Sequence, residues 1–281
     1  MTTPGPSNEL LLAVDLGNSA CKLGLWTAGG ELVESVRVQH RGRETRAFEN
    51  ELERALASWP ASRAAAWSSV VSQALEQCVQ RAVQRAGWPH LSTPDAGLEL
   101  AVEDAHTVGS DRLFAARAAF DLVGRACLIV NLGTALTVDA LAPPTTARAG
   151  SPGATLRARF LGGAIALGPE LWMQALRRGA ARLDVDLDPL PGAPALGRRT
   201  KAALEAGIVH GLRGSARELL LQVAKESGIP SSDWVLTGGA RAFLLEPAPI
   251  ASAPLCVEAD LVLRGIFLSM LPLARPAELG Q

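Results

Sequence analysis

A short pattern occurs twice in this chain, once in each half. Residues 10–14 and 127–130 are apolar runs of strand length, and each leads into a turn with a small polar residue and a glycine. Because glycine has no Cβ, such a turn lets backbone N–H groups and side-chain oxygens approach an anion. The recurrence predicts two related domains that face one nucleotide. The two turns read Asp15-Leu16-Gly17-Asn18-Ser19 and Asn131-Leu132-Gly133-Thr134-Ala135.

The length of the chain allows this division. A chain of 281 residues can form one large domain or two of ordinary size. The repeat favours two, which we place at residues 1–123 and 124–281. Strand and helix patterns alternate along both halves, so the predicted fold class is α/β. In the first half we predict strands at 10–14, 20–26, 31–39 and 64–71 and helices at 45–58, 72–86 and 112–122.

The second half repeats this opening and adds a third glycine turn. Strands are predicted at 126–130, 136–141 and 234–236, and helices at 169–178, 200–214 and 215–227. The segment Phe160-Leu161-Gly162-Gly163 is predicted to lead into the first of these helices. After the last strand, Thr237-Gly238-Gly239 forms another turn of a size that suits a nucleotide.

Composition and charge narrow the class of protein. The 27 basic residues nearly balance the 28 acidic ones and form no stripe with aromatics, so nucleic acid is not indicated as a main partner. The four cysteines lack paired spacing, which is typical of reduced core thiols. We find neither a signal-peptide pattern nor the ~20 apolar residues of a spanning helix. These observations predict a soluble cytoplasmic protein without a membrane partner.

Two carboxylates stand out. Asp15 could bind Mg²⁺ while its turn holds phosphate oxygens, with Lys22 within reach of a phosphate; a tight hairpin whose Asp caps the turn is the alternative. Asp111 would lie in the first turn of a helix, near its positive dipole end. Its alternative is an ordinary helix cap followed by a surface arginine.

The order of these elements resembles the actin, Hsp70 and sugar kinase superfamily, and more narrowly the type III pantothenate kinases. The Gly-x-Asp-Arg element at 109–112, between the two phosphate turns, discriminates this family within the superfamily. The resemblance covers almost the whole chain. It is carried by the three turns and by Ser69-Val70-Val71, Gly109-Ser110-Asp111-Arg112, Thr137, Asp139, Gly162-Gly163-Ala164-Ile165, Thr200, Ala206-Gly207 and Asp260-Leu261-Val262-Leu263-Arg264-Gly265.

The resemblance implies two tandem ribonuclease-H-like domains, as in actin-like ATPases, each with a mixed five-stranded sheet flanked by helices. It implies ATP and Mg²⁺ as cofactors, a monovalent cation (K⁺ or NH₄⁺) as activator, pantothenate as acceptor, and a homodimer whose substrate pocket lies at the subunit interface. Asp111 would be the general base that takes the proton of the attacking hydroxyl, a role that a carboxylate within hydrogen-bond reach can fill.

The same resemblance assigns the other site residues. The nucleotide would be bound by Asp15, Leu16, Gly17, Asn18, Ser19, Ala20, Cys21, Lys22, Thr134, Gly238 and Gly239. The acceptor would be bound by Val102, Gly109, Ser110, Asp111, Arg112 and Thr200, with Arg112 offering its guanidinium to the pantothenate carboxylate or its surroundings. The metal ligands would be Asp15 for Mg²⁺ and Asn131 for the monovalent cation.

The chain departs from the family pattern at three places. Asn131 replaces an aspartate that binds the monovalent cation, so a weaker cation site or none is predicted, since hard cations favour anionic oxygens. Val102 and Ala105 stand where the family usually has Tyr and Pro. Ala166-Leu167-Gly168 replaces a usual Pro-Gly pair.

Three functions stay open at this point. The leading one is an ATP-dependent pantothenate kinase of coenzyme A synthesis. The second is a catalytically weakened relative that acts as a binding or regulatory protein in transcription. The third is a kinase for another small hydroxy acid, because Val102 changes the shape of the acceptor pocket.

Overall fold

The computed structural model describes residues 10–60, 64–144, 157–179 and 186–271 of the chain. The strands in these ranges are β1 (Leu10–Leu16), β2 (Ala20–Thr27), β3 (Leu32–Gln39), β4 (Ala64–Ser69), β5 (Glu99–Leu100), β6 (Cys127–Leu132), β7 (Ala135–Ala142), β8 (Arg159–Leu167), β9 (Trp234–Thr237) and β10 (Cys256–Val257). The α-helices are α1 (Thr45–Ala57), α2 (Gln73–Arg85), α3 (Ser110–Val123), α4 (Pro169–Gly179), α5 (Thr200–Ser227), α6 (Ala242–Leu245) and α7 (Leu261–Met270). None of these helices is long and apolar enough to cross a lipid bilayer.

The strands form two mixed sheets, one in each half of the chain. The first has the order β3-β2-β1-β4, with β1 antiparallel to β2 and parallel to β4. The second has the order β10-β9-β6-β7-β8-β5, with β6 antiparallel to β7 and parallel to β9. The described strands thus give sheets of four and six strands, which corrects the prediction of five in each. The sixth strand is β5, which comes from the first half of the chain and pairs with β8.

Successive residues of β1 are buried on opposite faces of the first sheet, so this strand has helices on both sides. Leu12, Val14 and Leu16 pack with α1 and α2, because alternate side chains of a strand point to the same face. Leu11 and Ala13 pack instead with α3 and α7. This burial on both faces explains why residues 10–14 read as a continuous apolar run.

Helices α3 and α7 lie between the two sheets. Their buried side chains share one core with β1 of the first sheet and with Cys127 and Ile129 of β6. The two helices approach closely at Gly265, where a Cβ would lie 1.9 Å from the carbonyl oxygen of Phe114. The opposite face of the second sheet is covered by α5, whose Ile208 and Leu212 pack with residues of β6 and β7.

The second half differs from the sequence predictions at two places. Phe160 to Gly163 lies inside β8, a strand that the sequence did not predict, and β8 leads into α4 at Pro169 as expected. Gly163 is required in this strand, because a Cβ would lie 2.1 Å from the carbonyl oxygen of Val138 on the paired β7. Residues 200–227 form the single helix α5 instead of two helices. Gly214 carries no strained conformation, so nothing in the backbone interrupts the helix at that point.

Candidate functional site

A cavity of about 350 Å³ lies where the turns after β1, β6 and β9 meet. Its volume lies within the range of about 300–1,000 Å³ that is typical of small-molecule sites. Within each sheet, the carboxyl ends of the parallel pair, β1 with β4 and β6 with β9, lie at one edge, which is the usual place for a ligand in α/β folds. The lining includes Asp15, Gly17, Asn18, Ser19, Ala20, Lys22, Asp111, Asn131, Thr134, Gly238 and Gly239.

The first turn carries a buried carboxyl. Asp15 is 9% exposed, and burial raises the pKa of this group to about 6; Lys22 opposes the rise, while Asp111 adds to it. The turn is closed by a hydrogen bond from the Gly17 N–H to the Ala20 carbonyl at 3.1 Å. The side chains of Leu16 and Cys21 are buried in the core of the first half, so they anchor the turn from behind.

The first and second turns touch across the cavity. The Ser19 and Thr134 hydroxyls are 2.8 Å apart, and Ser19 also donates to a carboxylate oxygen of Glu170 at 2.9 Å. Glu170 in turn pairs with Arg41 at 3.1 Å. Sequence reasoning missed both Glu170 and Arg41, because their neighbours in sequence carry no recognisable motif. The contact puts two hydroxyl donors on facing walls of one site.

The third turn requires glycine at position 238. Gly238 has φ +100°, and a Cβ there would lie 2.2 Å from the carbonyl oxygen of Leu132 and 2.7 Å from Oδ1 of Asn131. Its neighbour Thr237 is paired in register with Asn131. The side-chain oxygen of Asn131 therefore lies against the third turn.

Asp111 lies in the first turn of α3 and lines the same cavity. Burial raises the pKa of the Asp111 carboxyl. The rise is opposed by groups that favour the ionised form, namely the backbone N–H of Arg112, the charge of Arg112 and the backbone N–H of Asp111 itself. A Cβ at the preceding Gly109 would lie 2.6 Å from Oδ1 of Asp111, so the carboxylate has this orientation only because residue 109 is glycine. Ser110 fixes the start of the helix, since its hydroxyl is 2.8 Å from that of Ser68 on β4.

Arg112 is held by a buried partner. Its Nε donates to Oδ1 of Asp139 at 3.0 Å, and its guanidinium lies 5.4 Å from the centre of the Phe160 ring. Asp139 is 2% exposed; burial raises the pKa of this group, and the ion pair with Arg112 opposes the rise. Two N–H groups of the Arg112 guanidinium, which the sequence predicted to face the acceptor, thus bind Asp139 instead. The alternation of Thr137 and Asp139 along β7 could have indicated the inward position of this carboxylate.

Among the predicted acceptor residues, Asp111 lines the cavity, whereas Val102, Gly109, Ser110, Arg112 and Thr200 do not. Val102 is half-buried beside Gly162 of β8, with its Cγ1 3.4 Å from the position of a Cβ there. Thr200 is exposed at the first residue of α5. The structure therefore brings most of the predicted nucleotide-binding residues together with Asp111 at one cavity, and leaves Thr200 outside its lining.

The chemistry of the lining fits a nucleotide with a divalent cation. Three glycine turns offer N–H groups to phosphates, and Asp15 and Asp111 offer carboxylate oxygens at the same cavity. Within the described ranges, no three His, Cys, Asp or Glu side chains are grouped to hold a metal by themselves. This arrangement suits Mg²⁺, which is commonly held by one or two carboxylates together with substrate phosphates.

Comparison with known proteins identifies the family. The family model for type III pantothenate kinase matches residues 11–222. The type III pantothenate kinase of Thermus thermophilus is 31% identical over 267 residues, which cover 92% of this chain and 97% of that protein. The enzyme of the same name from Nitrosomonas eutropha is 31% identical over 266 residues, which cover 92% and 93%.

Two solved structures share the fold. A candidate Baf family transcriptional activator from Campylobacter jejuni has a TM-score of 0.53 at 16% identity, covering 92% of this chain and 96% of that one. A candidate 2-dehydro-3-deoxygalactonokinase from Sinorhizobium meliloti has a TM-score of 0.52 at 15% identity, covering 96% and 100%. At these identities the likeness concerns the fold alone. Since the family match extends over residues 11–222 and the relatives align over most of both chains, this chain belongs to the type III pantothenate kinase family.

Proposed function

We propose that this protein transfers the γ-phosphoryl group of ATP to the primary hydroxyl of pantothenate, the first step of coenzyme A synthesis. The observation that carries the proposal is the single cavity that Asp111 shares with three glycine turns. Phosphoryl transfer needs an acceptor base beside donors that hold the phosphates in line, and this cavity supplies both. The names of the relatives supply the acceptor.

Each wall of the cavity then has a task in the reaction. The N–H groups and hydroxyls of the first two turns hold the terminal phosphates, with Ser19 and Thr134 turning from each other to the ligand. Asp15 would hold Mg²⁺, which would neutralise part of the phosphate charge. Asp111 accepts the hydroxyl proton; its N–H contacts and Gly109 keep the carboxylate oriented for that transfer.

The acceptor would lie against the start of α3. Gly109 and Ser110 form the turn beside it, and Arg112 contributes the donors that Asp139 leaves free. We place Val102 at the edge of this pocket. Because Thr200 is exposed and away from the cavity lining, its role requires a second subunit that brings another Thr200 to the acceptor.

We therefore expect a homodimer. Ile165 and Leu167 of β8 are 63% and 44% exposed, and apolar side chains in this position suit burial against a partner. Size-exclusion chromatography with light scattering at micromolar concentration is expected to give twice the chain mass of 29.4 kDa. A monomer under these conditions would contradict the dimer and the role of Thr200.

The decisive experiment is a kinase assay on the purified protein. We expect phosphopantothenate to form from ATP and pantothenate with Mg²⁺, and to form in Na⁺ alone at a rate close to that in K⁺ or NH₄⁺, because Asn131 has no charge to attract the cation. Strong activation by K⁺ would show that the amide oxygen of Asn131 suffices as a ligand. Nucleotide binding without turnover on pantothenate would favour another hydroxy acid or the regulatory function.

Two further parts of the proposal concern organisation. We retain the domain boundary near residue 123, although β5 and α7 each pack with the sheet of the other half. We also place the enzyme in the cytoplasm, where ATP is available and where the free thiols of Cys21, Cys78, Cys127 and Cys256 stay reduced.

A further inference from the structure

A row of polar side chains crosses the first sheet beneath the cavity. Lys22 of β2 is paired in register with Asp15 of β1 on one side and with Arg37 of β3 on the other. Asp15 is also in register with Ser68 of β4, whose hydroxyl contacts Ser110. Residues in register point to the same face of a sheet, so the row runs from Arg37 at the edge strand to Ser68 beside α3.

Arg37 is the member of this row that sequence reasoning did not select. It lines the cavity, and its Nη1 lies 3.3 Å from the position that a Cβ would occupy on Gly239 in the third turn. Arg37 belongs to the first half of the chain and Gly239 to the second. The guanidinium therefore reaches across the cavity from one sheet to the turn of the other.

The positive charge of Arg37 is uncompensated in the part of the chain that the structure describes. Neither an ion pair nor a hydrogen bond engages its side chain there, whereas Lys22 donates to the Ala259 carbonyl at 3.4 Å. Asp260, which also approaches β3, accepts a hydrogen bond from Ser35. A guanidinium without a partner beside this cavity, whose lining also holds the buried Asp15 and the half-buried Asp111, indicates a binding site for an anionic ligand.

The position along the row indicates which part of the anion it contacts. Adjacent strands are about 4.8 Å apart, so Arg37 lies two strands, roughly 10 Å, from Asp15 and farther from the end where Asp111 lies. The phosphate to be transferred must lie next to Asp111. We propose that Arg37 binds the non-transferred phosphates of the nucleotide against the third turn, as a clamp across the cavity; this rests on the proposed use of ATP.

The inference predicts an effect on nucleotide affinity and not on the chemical step. Arg37→Gln is expected to weaken ADP and ATP binding by roughly 10–100-fold, as for the loss of a charged hydrogen-bond donor. The KM for ATP should rise while kcat stays close to the wild-type value. Arg37→Lys keeps the charge but loses the planar guanidinium, so its ADP affinity should lie between those of the wild type and Arg37→Gln. Raising the ionic strength should weaken ADP binding more in the wild type than in Arg37→Gln.

Isothermal titration with ADP and Mg²⁺, without pantothenate, measures this effect directly. The matched control is Arg46→Gln, an exposed arginine on α1 outside the cavity lining, which should bind ADP as the wild type does. Wild-type ADP affinity in Arg37→Gln would overturn the inference, and so would a loss of kcat with unchanged affinity. If ADP binding depends on Arg37 while pantothenate is not phosphorylated, the clamp stands and the proposed acceptor fails.

Discussion

Replacing Asp111 with asparagine should lower turnover by roughly 10²–10⁴-fold, the range for loss of a general base. The amide keeps the size of the side chain but cannot accept the hydroxyl proton. ADP affinity should stay near the wild-type value, because the three glycine turns do not depend on Asp111. Steady-state kinetics with ATP and pantothenate, together with ADP titration, separate the two effects. Unchanged turnover would exclude Asp111 as the base.

The pH dependence of the wild-type enzyme offers a second measurement of the same group. Burial raises the pKa of Asp111, and the base must be ionised to act, so kcat should fall on the acidic side at a higher pH than for a solvated aspartate. This fall of kcat at acidic pH should be absent from the residual activity of Asp111→Asn. Asp121→Asn is the matched control, since this exposed carboxylate lies on the same helix and pairs with Arg264.

The second large effect is expected at Asp139. Asp139→Asn removes the charge that faces Arg112 and leaves a guanidinium whose side chain is only 13% exposed without its carboxylate. Breaking one partner of a buried pair costs about 3–5 kcal/mol, and we expect a loss of this size in the free energy of unfolding. Urea denaturation followed by tryptophan fluorescence measures it. A variant as stable as the wild type would show that Arg112 finds another partner or reaches water.

A double variant separates the contribution of the Arg112–Asp139 ion pair to stability from that of the surrounding packing. Replacing both partners, as in Arg112→Met with Asp139→Leu, removes the unpaired charge and should recover much of the lost stability. The double variant should nevertheless phosphorylate pantothenate poorly, because the acceptor would lack the free donors of Arg112. A double variant with wild-type stability and wild-type activity would mean that Arg112 has only a structural role.

The features that follow from local pattern were predictable from the sequence. The apolar run of β1, the glycine turns and the helix that begins at Ser110 all agree with the structure, because each depends on neighbours within a few residues. The strand β8 could not be predicted in this way, since the reason for Gly163 is the approach of Val138 from another strand. The pairing of Arg112 with Asp139 also spans distant positions, and no local periodicity encodes it.

The site shows the same division. The three glycine turns that line the cavity could be predicted because their glycines and hydroxyls stand together in the sequence. Arg37 and Glu170 reach the cavity only through strand register and the packing of α4, so their neighbours gave no signal. For α7, the sequence indicates a family motif at its start but not that this helix covers β1, because the residues of β1 lie about 250 positions earlier in the chain.

That last contact bears on how the protein is made. Leu11 and Ala13 are synthesised about 250 residues before Leu263 and Ile266, with which they pack in one core. The first sheet can acquire α1 and α2 early in synthesis, but its other face stays incompletely covered until α7 has been synthesised. The helix that carries Asp111 settles at the same moment, because α7 closes against it at Gly265. A ribosome stalled before residue 261 would thus hold a half-finished sheet with an open apolar face, a natural substrate for chaperones.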